Sequence, residues 1–263
     1  MSGDMMQTIQ RLEREVAQLR TQIRRPNQVV EAWMAMRTIP LLFANLRGVW
    51  LMNQWAPGFI YDLTGQARHM STNGTVAFQQ HTNNLLRYLT LDGSSTYLSR
   101  ASEAGLEITG SLSVIGWFYK STAGTQFPLI SKTSSLSGSA NMAWLFTIGS
   151  SDNLNLTVCN GTTATNATTP APAGEWVCCA GNYSPGTFVQ VFLGTRDGWS
   201  SGQNTTSIPA SINNPTAVGV TIGALHGGSS FASGNCAMVA IMNSTSNETL
   251  FRNFFEHTKG AFF

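Results

Sequence analysis

Apolar residues near the start of the chain recur at alternating spacings of three and four positions. The pattern is formed by Ile9, Leu12, Val16, Leu19 and Ile23. It stops at Pro26. Residues with this spacing lie along one side of a helix and form the seam of a coiled coil, with Ile and Val at the a positions and Leu at the d positions. The sequence therefore predicts an N-terminal coiled-coil helix over residues 1–25.

Charged residues beside this seam favour parallel pairing. Glu15 falls at a g position and Arg20 at the following e position, and such a pair meets across the seam of a parallel coiled coil. Ile or Val at a with Leu at d favours two strands, but the seam is short, so an attached domain can impose three. We expect the chain to associate with itself as a homotrimer or a homodimer. A single amphipathic helix packed on its own domain or on another protein is the alternative.

Beyond about residue 45 the pattern changes to short apolar or alternating runs. Clusters of Gly, Asn, Ser and Pro separate nearly all of them, as expected for strands joined by turns. The runs lie at 49–52, 60–65, 89–98, 111–120, 127–132, 142–148, 154–159, 176–183, 188–193, 218–222 and 236–242. About a dozen short strands without intervening helices predict a mainly β, two-sheet sandwich.

The segments on either side of this β region are also apolar. Residues 26–46 are too apolar for a free linker, so we predict a collar that packs on the β domain, on its symmetry mates or on another protein. At the other end, residues 248–259 place Leu250, Phe251, Phe254 and Phe255 on one helical face, which predicts a helix packed on the core. The predicted domains are the helix 1–25, the collar 26–46 and the sandwich 47–263 with its helical tail.

Composition narrows the classes of partner. Charged residues make up 11% of the 263 residues, against about 25% in ordinary soluble proteins, and the net charge is +2. Because the charges are this few, they form no basic stripe, and nucleic acid is not expected as a partner. No apolar run approaches the roughly 18 residues of a membrane span, and we expect no membrane insertion. The first four residues lack the features of a signal peptide, so assembly in a cytoplasm is expected.

The four cysteines are predicted to be buried free thiols. Cys159, Cys178, Cys179 and Cys236 show neither a CxxC pair nor a histidine at zinc spacing. Consecutive residues of a strand point to opposite faces, so Cys178 and Cys179 are expected to enter different layers. A disulfide between Cys159 and either of these neighbours is left open.

Seven sequence blocks, taken in order, resemble a known family. They are GVWLM at 48–52, DLTGQARHM at 62–70, LDGSSTYL at 91–98, LEITGSLSVIGWF at 106–118, LISK at 129–132, GEWV at 174–177 and VTIGA at 220–224. The set is similar to the concanavalin A-like, laminin-G-type jelly roll over residues 47–242. The resemblance implies a two-sheet sandwich that often binds glycans or protein surfaces, sometimes with a calcium ion at one rim.

The chain departs from the calcium-binding and the catalytic versions of that family. Asp62, Asp92, Asp152 and Asp197 each stand alone, whereas calcium needs several converging carboxylates, so we expect turn roles for them and no metal. Jelly-roll glycoside hydrolases carry a Glu-x-Asp-x-x-Glu strand, which is absent here. The pair Glu103 and Glu107 is separated by Gly105 and is expected in a loop. We expect no catalytic residues, no enzymatic activity and no cofactor.

The sequence also offers candidate residues for a glycan-binding site. Lectin sites combine an aromatic plate with amide and carboxylate groups on loops at the edge of a sandwich. Two loops are candidates for such a site. One contains Asp197 and Trp199 with the following residues 200–204, and the other contains His226 and the two glycines after it. Trp199 follows a glycine and is the least core-like of the tryptophans, but a packing role for it is the stronger interpretation.

Together these features resemble phage tail fibres, head fibres and capsid decoration proteins. We therefore predict a non-enzymatic virion structural protein, an oligomeric fibre, spike or decoration protein, that presents a lectin-like head. Its expected partners are further copies of itself, other virion proteins and a host surface glycan, and its expected location is the virion, assembled in the host cytoplasm. A cellular carbohydrate-binding or adhesion module is the alternative. Decoration of the capsid and receptor binding at the tail are favoured nearly equally.

Overall fold

A computed structural model describes residues 45–56, 58–80, 86–136 and 140–263. The predicted coiled-coil helix lies outside the described residues, as does the collar except for its last two positions. The seam of Ile9, Leu12, Val16, Leu19 and Ile23, together with Glu15 and Arg20, therefore stays a prediction.

The described chain is built from strands and ends in a helix. The strands are β1 Leu46–Ala56, β2 Phe59–Asp62, β3 Met70–Asn73, β4 Ala77–Gln80, β5 Arg87–Asp92, β6 Tyr97–Arg100, β7 Leu112–Lys120, β8 Phe127–Thr133, β9 Met142–Ile148, β10 Asn153–Cys159, β11 Ala164–Pro170, β12 Trp176–Ser184, β13 Phe188–Thr195, β14 Gly198–Asn204, β15 Val220–Ile222 and β16 Ser233–Met242. Helix α1 spans Glu248–Thr258, and a 3-10 turn follows at Lys259–Ala261. The mainly β architecture and the C-terminal helix are thus confirmed. No helix in the part of the chain described is long and apolar enough to cross a membrane.

The strands pair antiparallel in one continuous order, and the resulting sheet folds over so that its two ends face each other. The order is β11-β10-β9-β8-β15-β6-β3-β2-β1-β16-β7-β12-β13-β14, and β5, which pairs β4, adds beside β16. Strands from the two ends of this order meet face to face, with β10 against β12 and β13, and β11 against β13 and β14. The result is the expected sandwich of two sheets, in which β1, β16, β7, β12, β13 and β14 form one layer.

Apolar residues fill two separate layers on either side of that sheet. The inner layer lies within the sandwich and includes Val114, Phe118 and Cys179. The outer layer includes Ile115, Trp117 and Cys178, and α1 covers it. The alternation along a strand sends neighbouring residues to different layers, so the predicted separation of Cys178 and Cys179 is confirmed. All four cysteines are buried and free, and burial raises the pKa of Cys179 and Cys236.

Helix α1 is held on the outer layer by its cap and its phenylalanines. Asn247 caps the helix, since its side-chain oxygen accepts a hydrogen bond from the Leu250 backbone N–H at 2.8 Å. Phe251, Phe254 and Phe255 are buried, as their spacing predicted. The outer face of the sheet is therefore a second core, and among the described residues α1 closes it.

One predicted loop is a strand instead. Residues 200–204 were expected in a candidate glycan-binding loop, yet they form most of β14, which pairs with β13 along its length. An edge strand needs no apolar face when it is held by its backbone ladder. Gly202 also lies so close to β11 that an added Cβ would come within 1.8 Å of the Thr168 carbonyl oxygen. This close approach brings the two sheets together at that edge.

The turn after β5 is organised by Asp92. Its Oδ1 accepts the backbone N–H groups of Ser94, Ser95 and Thr96 at 2.9, 2.8 and 2.8 Å, which confirms the expected turn role. Desolvation alone would raise the pKa of Asp92, but the hydrogen bonds from Ser95, Thr96 and Ser94 together outweigh it and hold the pKa well below its usual range.

Replacing Asp92 with Asn is expected to lower the melting temperature at pH 7 by about 2 °C or more, because the charged acceptor is lost. A carboxyl whose pKa is depressed by folding contributes stability above its ordinary pKa, and this contribution is lost as the pH falls through the folded value. The difference in melting temperature between the Asp92→Asn variant and the unsubstituted protein should therefore narrow below about pH 4. Thermal unfolding followed from pH 7 to pH 2 checks this, with Asp197→Asn as the matched control. A gap that stays constant with pH would contradict it.

Candidate functional site

A cleft of about 560 Å³ opens on the outer face of the sheet, beside the C-terminal tail. Its lining residues are Tyr88, Tyr119, Gly174, Glu175, Trp176, Arg196, Asp197, Asn235, Phe262 and Phe263. We call this the Trp176 cleft. It combines aromatic side chains with two carboxylates, one guanidinium and one amide.

Neighbouring strands bring the aromatic residues of the cleft together. Trp176 begins β12 and stands directly opposite Tyr119 of β7, which in turn stands opposite Asn235 of β16. Tyr88 comes from β5, the next strand along. The ring of Trp176 lies between two tyrosines, with its centroid 5.4 Å from that of Tyr88 and 5.9 Å from that of Tyr119. These half-buried tyrosines leave part of their surface open to the cleft.

The C-terminal tail forms another wall. Phe262 is buried and stacks on Trp117, with ring centroids 3.9 Å apart and an interplanar angle of 12°, and its ring also lies 5.1 Å from that of Trp176. Phe263 is 38% exposed, and the guanidinium carbon of Arg196 lies 5.8 Å from the centre of its ring. The tail thus ties the cleft to the second core.

The polar residues of the cleft lie on two turns. Thr195 pairs with Gly198, so Arg196 and Asp197 form the two-residue turn of the β13–β14 hairpin. Glu175 lies on the loop before β12. Gly174 fixes that loop, because it has a φ of +84° and donates its N–H to the Lys120 carbonyl at 2.8 Å. Both turns project their polar side chains at the rim of the aromatic wall.

A buried lysine supports the end of β7 behind Tyr119. The Lys120 side chain is fully buried, and its Nζ donates to Asp152 Oδ1 at 2.5 Å and to the Gly149 carbonyl at 3.1 Å. This hydrogen bond from Lys120 and one from the Gly124 N–H lower the pKa of Asp152. The ammonium charge is therefore compensated beneath the cleft and does not point into it.

The three predicted glycan-site residues have different surroundings in the structure. Asp197 lines the Trp176 cleft. Trp199 packs under α1, with its ring centroid 5.5 Å from that of Phe255, and its Nε1 donates to Glu248 Oε1 at 3.0 Å. His226 lies on the loop after β15 and accepts the Gly219 N–H at 3.1 Å. Among the described contacts, none joins these residues to one another, and the packing interpretation of Trp199 agrees with its surroundings.

Sequence reasoning did not identify the aromatic wall. Trp176 lies in an apolar run that predicted a buried strand, and Tyr119 lies in an alternating run that indicated only a strand. The residues converge through strand order rather than through spacing along the chain. The signal that was available is Asp197 followed by Gly198, since both residue types are common in turns.

Asp62 and Asp152, like Asp92, accept hydrogen bonds from donors of the protein. Asp62 Oδ1 accepts the Val49 N–H at 3.1 Å, and Asp152 accepts the Gly124 N–H besides Lys120. Within the described ranges, no three His, Cys, Asp or Glu side chains converge as a metal would require.

Fold and cleft together define a lectin-like β-sandwich. A model of the Concanavalin A-like lectin/glucanases superfamily, of the laminin-G type, matches residues 92–249, more than half of the chain. The chain therefore belongs to this family. No curated protein sequence matches it.

Solved structures with the same fold include toxin domains. The binding domain of Paraclostridial Mosquitocidal Protein 1 has a TM-score of 0.62 at 11% identity, with coverage of 82% of this chain and 53% of that one. The binding domain of Botulinum neurotoxin serotype G has a TM-score of 0.60 at 10% identity, with coverage of 81% and 51%. The chain thus spans about half the length of these domains. At such identities the likeness concerns the fold alone.

Proposed function

We propose that this protein is a non-enzymatic, oligomeric virion protein whose β-sandwich head binds a glycan in the Trp176 cleft. The observation that carries the proposal is the composition of the cleft, where aromatic rings adjoin carboxylate and amide groups at one rim. Membership of a lectin and glucanase family agrees with this composition.

A sugar ring matches such a cleft chemically. Each pyranose has an apolar face of C–H groups that can cover an aromatic side chain, and hydroxyl groups that donate to carboxylates and exchange hydrogen bonds with amides. Tyr88 and Tyr119 offer the aromatic surface, while Glu175, Asp197 and Asn235 offer the polar partners. A volume of about 560 Å³ lies within the range of small-ligand sites, which suits a short oligosaccharide.

Binding without cleavage is favoured by the placement of the carboxylates. Glycosidases use a carboxylic acid whose pKa is raised in an apolar enclosure, opposite a second carboxylate. Asp197 is exposed on its turn and Glu175 is only half-buried on a loop. The similar toxin structures are also described as binding domains.

The virion assignment rests on the rest of the chain. The predicted seam over residues 1–25 would cluster several heads, so that weak contacts with a repetitive polysaccharide gain avidity. A β region with few charges and much Ser, Thr, Asn and Gly is typical of fibres and decoration proteins. Docking of residues 1–46 on a shell lattice would favour capsid decoration, whereas affinity of the head for a host envelope polysaccharide would favour tail attachment.

Replacing Tyr88 with alanine is expected to weaken glycan binding about 3- to 10-fold, because the exposed part of one aromatic wall is removed. Binding is measured first on an array of defined oligosaccharides and then by calorimetry with the best of them. Tyr61→Ala is the matched control, since Tyr61 is also an aromatic residue, 41% exposed, on β2 and outside the cleft.

Three results would contradict the proposal. Absence of binding to any saccharide would overturn the glycan-binding function. A loss with Tyr61→Ala and none with Tyr88→Ala would place the site elsewhere. Recovery of shortened oligosaccharides after incubation would show that the protein is an enzyme. Circular dichroism of both variants confirms that the fold is intact.

A further inference from the structure

We infer that the Trp176 cleft selects uncharged saccharides and rejects acidic ones, such as uronate or sialate chains. This inference rests on the proposed function and specifies its ligand class. It follows from the charges that face the cleft, which are the carboxylates of Glu175 and Asp197 and the guanidinium of Arg196. Among the described lining residues, anionic side chains therefore outnumber cationic ones.

Among the described residues, Arg196 supplies the guanidinium that lines the cleft. Arg196 lies over the ring of Phe263, with 5.8 Å between its Cζ and the ring centre, and it is adjacent in sequence to Asp197 on a two-residue turn. A cation over an aromatic face gains from the ring quadrupole and is held against the wall. This contact with the ring face uses none of the N–H donors of Arg196, so the selection rests on the two carboxylates that outnumber this one cation among the described lining residues.

Three further basic residues of the described chain do not line the cleft. Lys120 directs its ammonium group to Asp152 and the Gly149 carbonyl, beneath the sheet surface. Arg87 precedes Tyr88 on β5, and consecutive residues of a strand point to opposite faces. Lys259 pairs with Glu256 on α1 and the turn that follows it.

The two carboxylates at the rim attract a neutral sugar and repel an acidic one. They accept hydrogen bonds from neutral hydroxyl groups, which favours an uncharged sugar. They also repel a ligand carboxylate, and such a repulsive element is what separates two ligands of similar shape. The repulsion should weaken as salt increases, because both carboxylates are partly exposed.

The test compares tetrasaccharides of glucan, mannan and galactan with tetrasaccharides of polygalacturonate, alginate and α2,8-linked sialic acid. We expect binding within the neutral set and at least tenfold weaker binding of every acidic probe at low salt. In the double variant Glu175→Gln with Asp197→Asn, the affinity for neutral probes should fall and the affinity for acidic probes should rise. The ratio of neutral to acidic affinity should therefore decrease about tenfold. Glu256→Gln, a charge change on α1, is the control and should leave the ratio unchanged.

The outcomes separate this inference from the function on which it rests. Acidic probes that bind as tightly as the neutral ones would overturn the inference and leave glycan binding in place. A ratio that is unchanged in the double variant would also overturn it, because the carboxylates would then have no part in selection. Absence of binding in both sets would overturn the proposed function itself.

Discussion

Replacing Trp117 with alanine is expected to lower the free energy of unfolding by about 3–5 kcal/mol, the usual cost of removing a large buried aromatic side chain. Trp117 is fully buried in the outer layer, stacks on Phe262 and Phe255, and donates its Nε1–H to Thr258 Oγ1 at 2.9 Å. The side chain therefore joins the sheet to α1 and to the tail at once. Its loss should leave a cavity and release the wall of the Trp176 cleft.

The measurement is urea unfolding followed by circular dichroism and fluorescence. The matched comparison is Trp117→Phe against Trp144→Phe. Trp144 is equally buried, in the inner layer, but its Nε1 has no hydrogen-bond partner among the residues that the structure describes. Trp117→Phe loses a satisfied hydrogen bond, whereas Trp144→Phe removes a buried donor that is unpaired there, so the first should be clearly more costly. Equal losses would contradict this account of the outer layer.

A second consequence concerns ligand binding. Because Phe262 stacks on Trp117 and lines the Trp176 cleft, Trp117→Ala should weaken glycan binding even under conditions where the variant remains folded. Trp144→Phe should leave glycan binding unchanged. This comparison links the second core to the proposed site.

Much of the fold could be predicted from local pattern. Turn clusters between short apolar runs indicated a sandwich, and the phenylalanine spacing in residues 248–259 indicated the helix that closes the outer layer. The order of residues in Trp176-Val177-Cys178-Cys179 even indicated two buried faces. Such patterns are informative because they depend on the side-chain period of one element at a time.

The candidate site could not be predicted in the same way. Tyr88, Tyr119 and Trp176 belong to three strands far apart in sequence, and their proximity depends on sheet order and register. Trp199 shows what a local pattern leaves open. Its preceding glycine suggested a loop while a packing role was the stronger interpretation, and the helix that covers it, about 50 residues later, agrees with packing. Local signals found Asp197 because a turn is a local structure.

Replacing Leu12 and Leu19 with aspartate is expected to reduce the molar mass of the protein by a factor of two or three, to that of a single chain. Charged groups at two d positions cannot remain unpaired in an apolar seam, so the predicted coiled coil should dissociate. The β-sandwich has its own two cores and should keep its near-UV circular dichroism. Light scattering gives the mass. Gln18→Asp with Thr21→Asp, at positions outside the a and d rows, is the control.

The same double substitution should separate affinity from avidity. Binding of a soluble oligosaccharide should be unchanged, whereas retention on an immobilised polysaccharide should fall about 10²- to 10⁴-fold, because only a clustered head engages several repeats at once. An unchanged mass would contradict the coiled coil. A single-chain mass in the unsubstituted protein would do the same, and would instead favour a helix that docks on another virion protein, in which case avidity would come from the particle itself.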